Sequence, residues 1–131
     1  MRWGIAALAV VAGCGPSGES GPERPATCAP AEVGLADSSA CFVVDETAFV
    51  ATTLRECGLA SDGGTADCWW RVVLTPTTWS WNYSDLTEDG ALDCAGNRLY
   101  DMDGELLGEW RADEGVLVWQ GDEYDPACPT D

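Results

Sequence analysis

From residue 68 onward, apolar and polar positions alternate in short runs broken by turn residues. "TWSWNYS" (78–84) has a period of two. Trp79, Trp81 and Tyr83 fall on one side and Thr78, Ser80, Asn82 and Ser84 on the other, which predicts a strand with one buried face. "WWRVVLT", "NRLYDM", "ELLGEWR" and "VLVWQ" have strand length and are rich in β-branched and aromatic residues. "VLVWQ" is apolar on both faces, so Val116 to Trp119 is expected to lie centrally. Turn signals separate the runs: Thr75-Pro76-Thr77, Asp89-Gly90, Gly96-Asn97, Asp103-Gly104, Glu114-Gly115 and Gly121-Asp122. Glycine at these places accepts the positive φ that tight hairpins require. The rhythm predicts an all-β domain, an antiparallel meander closed into a barrel or packed as a sandwich.

The first half reads two ways. Cys41 to Val44 has the look of a strand, and a short helix near 45–57 would be capped by Asp45 and ended by Gly58. The alternative is a hairpin turning at Asp45-Glu46, favoured by the β preference of Phe42, Val43, Val50, Thr52 and Thr53.

Small size changes this picture. The chain has 131 residues, and a domain of about 100 residues buries a low fraction of its surface, so extra staples are expected. Seven cysteines supply them and point to an oxidising compartment. Six are disulfide candidates: Cys28, Cys41, Cys57, Cys68, Cys94 and Cys128. Six cysteines allow fifteen connectivities. Closeness along the chain suggests Cys28–Cys41, Cys57–Cys68 and Cys94–Cys128, with Cys57–Cys68 the best supported because "GLASDGGTAD" between them is loop-like.

The seventh, Cys14, ends an uncharged run, "WGIAALAVVAG", that follows Met1-Arg2. That is the layout of a secretory signal, and the run is shorter than the ~20 apolar residues of a membrane-crossing helix. "VAGC", Val11-Ala12-Gly13-Cys14, resembles the lipobox of bacterial lipoproteins. The resemblance implies cleavage after residue 13, lipidation of Cys14 and attachment to the bilayer through its acyl chains. One chain holds weakly and two or three hold firmly, at ~0.8 kcal/mol per buried CH₂. Gly15, where an inner-membrane protein of this kind often carries aspartate, implies the outer membrane. Residues 14–27, rich in Gly, Pro and Ser, read as a flexible tether, and 28–131 as a single disulfide-bonded β domain.

The charge is −17, with twenty-three acids against six basic residues, all arginine, and no histidine. Nucleic acid, which needs a basic patch, is excluded as a partner. Without histidine or lysine there is no Ser-His-Asp or Cys-His catalysis, no Schiff base and no His-ligated zinc. Paired-carboxylate hydrolysis remains open in principle. "DLTEDGALD" (85–93) and "DMDGE" (101–105) bear a slight likeness to calcium loops, but neither has the full ligand spacing, and solvated hairpin turns account for both. No metal or cofactor is expected.

The aromatic set Trp69, Trp70, Trp79, Trp81, Tyr83, Tyr100, Trp110, Trp119 and Tyr124 serves as core or, where exposed, as a surface that stacks on sugars or cations. Trp69 and Trp70 face opposite ways if extended, so one of them is the candidate ligand-contacting aromatic. The sequence therefore predicts an envelope-anchored, non-catalytic binding module for a cationic protein or a glycan. The alternatives are a structural surface-coat lipoprotein without ligand, and an inhibitor of a cationic envelope-attacking enzyme such as lysozyme.

Overall fold

The computed structural model describes residues 23–36, 40–59, 63–84 and 86–129. Cys14, the signal segment and most of the expected tether lie outside them. Among the described residues eleven strands follow one another: β1 (Thr47–Ala51), β2 (Arg55–Leu59), β3 (Thr65–Cys68), β4 (Arg71–Leu74), β5 (Thr78–Tyr83), β6 (Leu86–Ala91), β7 (Asp93–Ala95), β8 (Arg98–Tyr100), β9 (Leu106–Arg111), β10 (Val116–Trp119) and β11 (Asp122–Pro126). Nine form one antiparallel sheet in the order β6-β5-β4-β1-β11-β10-β9-β8-β7, and β2 and β3 pair as a separate hairpin.

The sheet is a nearly closed barrel. Its two edges, β6 and β7, are consecutive in the chain and joined through Leu92 alone. Leu92 is buried, and its N–H donates to the Thr77 carbonyl. The β7 edge is covered from outside by the segment before β1. There Cys41 bridges Gly96, the Phe42 N–H donates to the Gly96 carbonyl, and the Gly96 N–H donates to the Ala40 carbonyl. The β6 edge instead exposes Thr87, Glu88 and Asp89; charge on an open edge discourages pairing with another chain.

Alternation decides what goes inside. The register sets Phe49 beside Val72, Val72 beside Trp81, and Leu74 beside Trp79, so these side chains share the inner face. Tyr124 pairs with Ala51 and with Leu117, and Leu117 with Trp110. Phe49, Val72, Leu74, Leu99, Leu117, Trp119 and Tyr124 are completely buried. Phe42 reaches in from the covering segment and stacks on Trp110, with ring centroids 5.4 Å apart. Such a pair adds about 0.5–1.5 kcal/mol beyond its area burial.

Several expectations need correction. No helix forms over 45–57 and no hairpin turns at Asp45-Glu46. Residues 47–51 are β1, paired on both sides by β4 and β11, and β2 begins at Arg55. Two-sided pairing buries Phe49, Val50 and Ala51 together, which a helix with one apolar stripe would not do. Asp89-Gly90 is not a turn but lies inside β6, and the chain reverses near Ser84, whose φ is +55°. Gly90 pairs with Trp79, and a Cβ there would sit 3.0 Å from the indole nitrogen, so the glycine makes room for the ring. The last hairpin turns at Gln120-Gly121, both with positive φ, one residue earlier than expected.

The disulfides are Cys28–Cys128 and Cys41–Cys94, not Cys28–Cys41 and Cys94–Cys128. Folding brings the strand after Leu92 beside the covering segment, and it brings both ends of the domain together at β11. The Cys28 N–H donates to the Pro126 carbonyl, the Cys128 N–H to the Ala26 carbonyl, and Thr27 bridges Ala127. Cys57 and Cys68 do meet across the β2–β3 hairpin, but as two thiols. The packed chain also starts earlier than residue 28. Arg24 forms an ion pair with Asp125 at 3.0 Å and donates to the Ala51 and Val50 carbonyls.

Candidate functional site

The β2–β3 hairpin lies over one end of the barrel, and a cleft of about 280 Å³ opens beside it. Ala51, Thr52, Thr53 and Arg55 form one wall, Gly121, Asp122, Glu123 and Tyr124 the other, and Trp70 lies between them. Each wall follows from local structure. The tight Gln120-Gly121 turn presents Asp122 and Glu123 at the barrel rim. The chain leaves β1 at Ala51, and the Thr52 N–H donates to the Glu123 carbonyl, which ties the two walls at their base.

Trp70 is fixed from three directions. Its indole N–H donates to the Glu56 carbonyl at 3.0 Å, which ties the hairpin to the barrel. Its edge meets Trp81 and Tyr83, with centroids 6.1 and 5.7 Å away. The Arg55 guanidinium lies over the ring, 5.1 Å from the centroid, and is itself paired with Asp122 at 2.6 Å. The Arg55 and Asp122 side chains remain 37% and 31% exposed, so this clasp stands within reach of solvent.

Within the second wall, Tyr124 is completely buried, and its hydroxyl accepts a hydrogen bond from the Trp81 indole N–H at 3.0 Å. Burial pushes the Tyr124 phenol up to about 12, so it is a neutral structural group rather than an acid–base catalyst at neutral pH. Tyr83 donates a short hydrogen bond to Glu88, which raises its own pKa.

Of the two candidate aromatics, Trp70 lines this cleft. Trp69 is turned elsewhere, under the guanidinium of Arg24 at 5.5 Å. Trp79 and Trp81 pack half-buried against the core and do not form a free ridge. None of the large exposed apolar side chains among the described residues, Val44, Leu86, Met102 and Leu106, lines the cleft. The part that sequence reasoning missed is Arg55 with Asp122. Nothing in the spacing of residues 55, 70 and 122 signals that they meet. Among the described residues no cluster of three or more His, Cys, Asp or Glu is arranged to hold a metal.

The geometry is that of a small polar notch with one aromatic wall and two carboxylates. At about 280 Å³ it falls just below the ~300–1,000 Å³ range of small-molecule pockets and suits a single side chain better than an extended ligand. No family model, no curated protein and no solved structure matches the chain.

Proposed function

We propose that the protein is an envelope-anchored lipoprotein, held by acyl chains on Cys14, whose barrel binds a cationic protein without catalysing a reaction. The acidic excess is the observation that carries this reading. Among the described residues, four arginines form ion pairs, Arg24–Asp125, Arg55–Asp122, Arg98–Glu109 and Arg111–Glu114. These involve four of the chain's twenty-three acidic side chains. The net charge of −17 creates a negative field that speeds encounter with a basic partner and repels anionic ones. Shallow clefts of about 280 to 370 Å³ support recognition through the surface and rim rather than enclosure of a substrate.

The test is retention of a basic protein, lysozyme, on the immobilised full chain. Retention at low ionic strength that disappears at about 0.5 M salt is expected, because screening there acts over only a few ångströms. No retention at low salt refutes the reading. The anchor is tested separately by Cys14→Ser with radiolabelled palmitate. The substitution should abolish both labelling and sedimentation with membranes.

A further inference from the structure

We propose that the cleft between the hairpin and the β10–β11 turn is a receptor for one arginine or lysine side chain of the cationic partner, and that Arg55 occupies it as an internal stand-in. The proposal rests on the cationic-partner reading and names the place where that partner docks.

The notch already holds a cation, the Arg55 guanidinium. An aromatic face and a carboxylate together make a cation site, since the ring quadrupole attracts the charge and the carboxylate accepts its N–H donors. Here the face is Trp70, the carboxylate is Asp122, and a guanidinium sits between them. Glu123 and the hydroxyl-bearing Thr52 and Thr53 line the same space.

The two members differ in how firmly they are held. Trp70 is locked by its bond to Glu56 and by its edge contacts with Trp81 and Tyr83. Arg55 is more than a third exposed and, among the described residues, forms one ion pair. An exposed pair of this kind contributes little net stability, because water and side-chain entropy compete with it. The rigid part is therefore the receptor and the loosely held part the occupant. An incoming side chain keeps the same ring and the same carboxylate and displaces a weakly bound group. The cost of displacing Arg55 is subtracted from the partner's affinity, so vacating the site should strengthen binding.

The experiment uses the full chain with ¹⁵N-labelled tryptophan indoles and argininamide as the probe. Three single variants are compared with the parent: Arg55→Gln, Arg98→Gln and Trp70→Leu. Arg98→Gln removes the same charge at an exposed ion pair that does not line the cleft, so it isolates the effect of net charge. Disappearance of one indole signal in Trp70→Leu assigns Trp70. The expected result is that argininamide shifts the Trp70 indole in Arg55→Gln with about tenfold tighter binding than in the parent or in Arg98→Gln, in keeping with a partly desolvated cation–π contact. Equal affinity in Arg55→Gln and Arg98→Gln overturns the proposal, as does a Trp70 signal that never moves. A Trp70 indole that keeps its parental position in unliganded Arg55→Gln shows that the hairpin has not swung away. If it has, Arg55→Lys, which keeps the clasp's charge but loses its planar fork, should fall between parent and Arg55→Gln in affinity, and parental affinity there counts against the proposal. Failure of lysozyme to bind while argininamide does would refute the partner and leave the receptor standing. The converse would refute the receptor alone.

Discussion

Replacing Cys28 and Cys128 by serine opens the larger of the two covalent loops, a sequence separation of 100 residues. Loop-closure entropy makes that bridge worth about 4.7 kcal/mol at 25 °C, and the Cys41–Cys94 bridge, with a separation of 53, about 4.2 kcal/mol. Small domains have only about 5–15 kcal/mol in total. Each loss is therefore a large share of the whole, and at about 4–8 °C per kcal/mol it lowers Tm by on the order of 20 °C or more. The two loops are nested, so removing both should cost less than the sum. The assay is urea unfolding followed by tryptophan fluorescence for Cys28→Ser/Cys128→Ser, for Cys41→Ser/Cys94→Ser and for the quadruple variant, with the midpoint and slope read separately. A Cys28→Ser/Cys128→Ser protein within about 1 kcal/mol of the parent would refute the entropic reasoning. Peptide mapping that joins Cys28 to Cys41 would refute the pairing itself.

Four further outcomes are expected. Phe42→Ala, which empties a completely buried site stacked on Trp110, should cost about 3–5 kcal/mol in the same urea assay. Gly90→Ala forces a methyl group against the Trp79 indole and should cost about 1–3 kcal/mol, with a change in tryptophan emission; an unchanged spectrum and stability would show that the ring is free to move. The Tyr124 phenol titrates near 10 when unfolded and about 12 when folded, so its contribution is complete below pH 10 and is lost as pH rises to about 12. That loss amounts to roughly 2–3 kcal/mol and should be absent in Tyr124→Phe. Burial, with a hydrogen bond from the Cys68 thiol to the Cys57 sulfur, raises Cys68 to about 12, so at pH 8 iodoacetamide should modify Cys68 far more slowly in the folded protein than in urea.

The strands were readable because runs of strand length, rich in β-branched and aromatic residues, stand between turn residues, with a period of two in "TWSWNYS". "TWSWNYS" and "VLVWQ" became β5 and β10 with little change of boundary. Pairing was not readable, because register depends on which strands the barrel brings together. Residues 47–51 show the limit: their apolar character fits a buried strand or a helix, and only the flanking strands β4 and β11 decide. Asp89-Gly90 shows another. A glycine that relieves a steric demand from an indole across the sheet looks, in one dimension, like a glycine that makes a turn. Chain proximity misassigned two disulfides for the same reason, since the covering segment reaches β7 only after the barrel has curled. In the candidate site, Trp70 was legible as a tryptophan at the end of a run. Its guanidinium cover was not, because that contact spans the hairpin, the barrel and the last turn.

The covalent joint between residues 28 and 128 also bears on resistance to proteolysis. It turns the polypeptide between those residues into a ring, crossed by a second tie from 41 to 94. A protease that cuts once in an outward loop, such as Asp103-Gly104, makes a nick but releases nothing, since both new ends stay attached to the same ring. Shedding a fragment takes two cuts within one arc. A population of singly clipped molecules would therefore keep its shape and run as intact protein until the bridges were reduced.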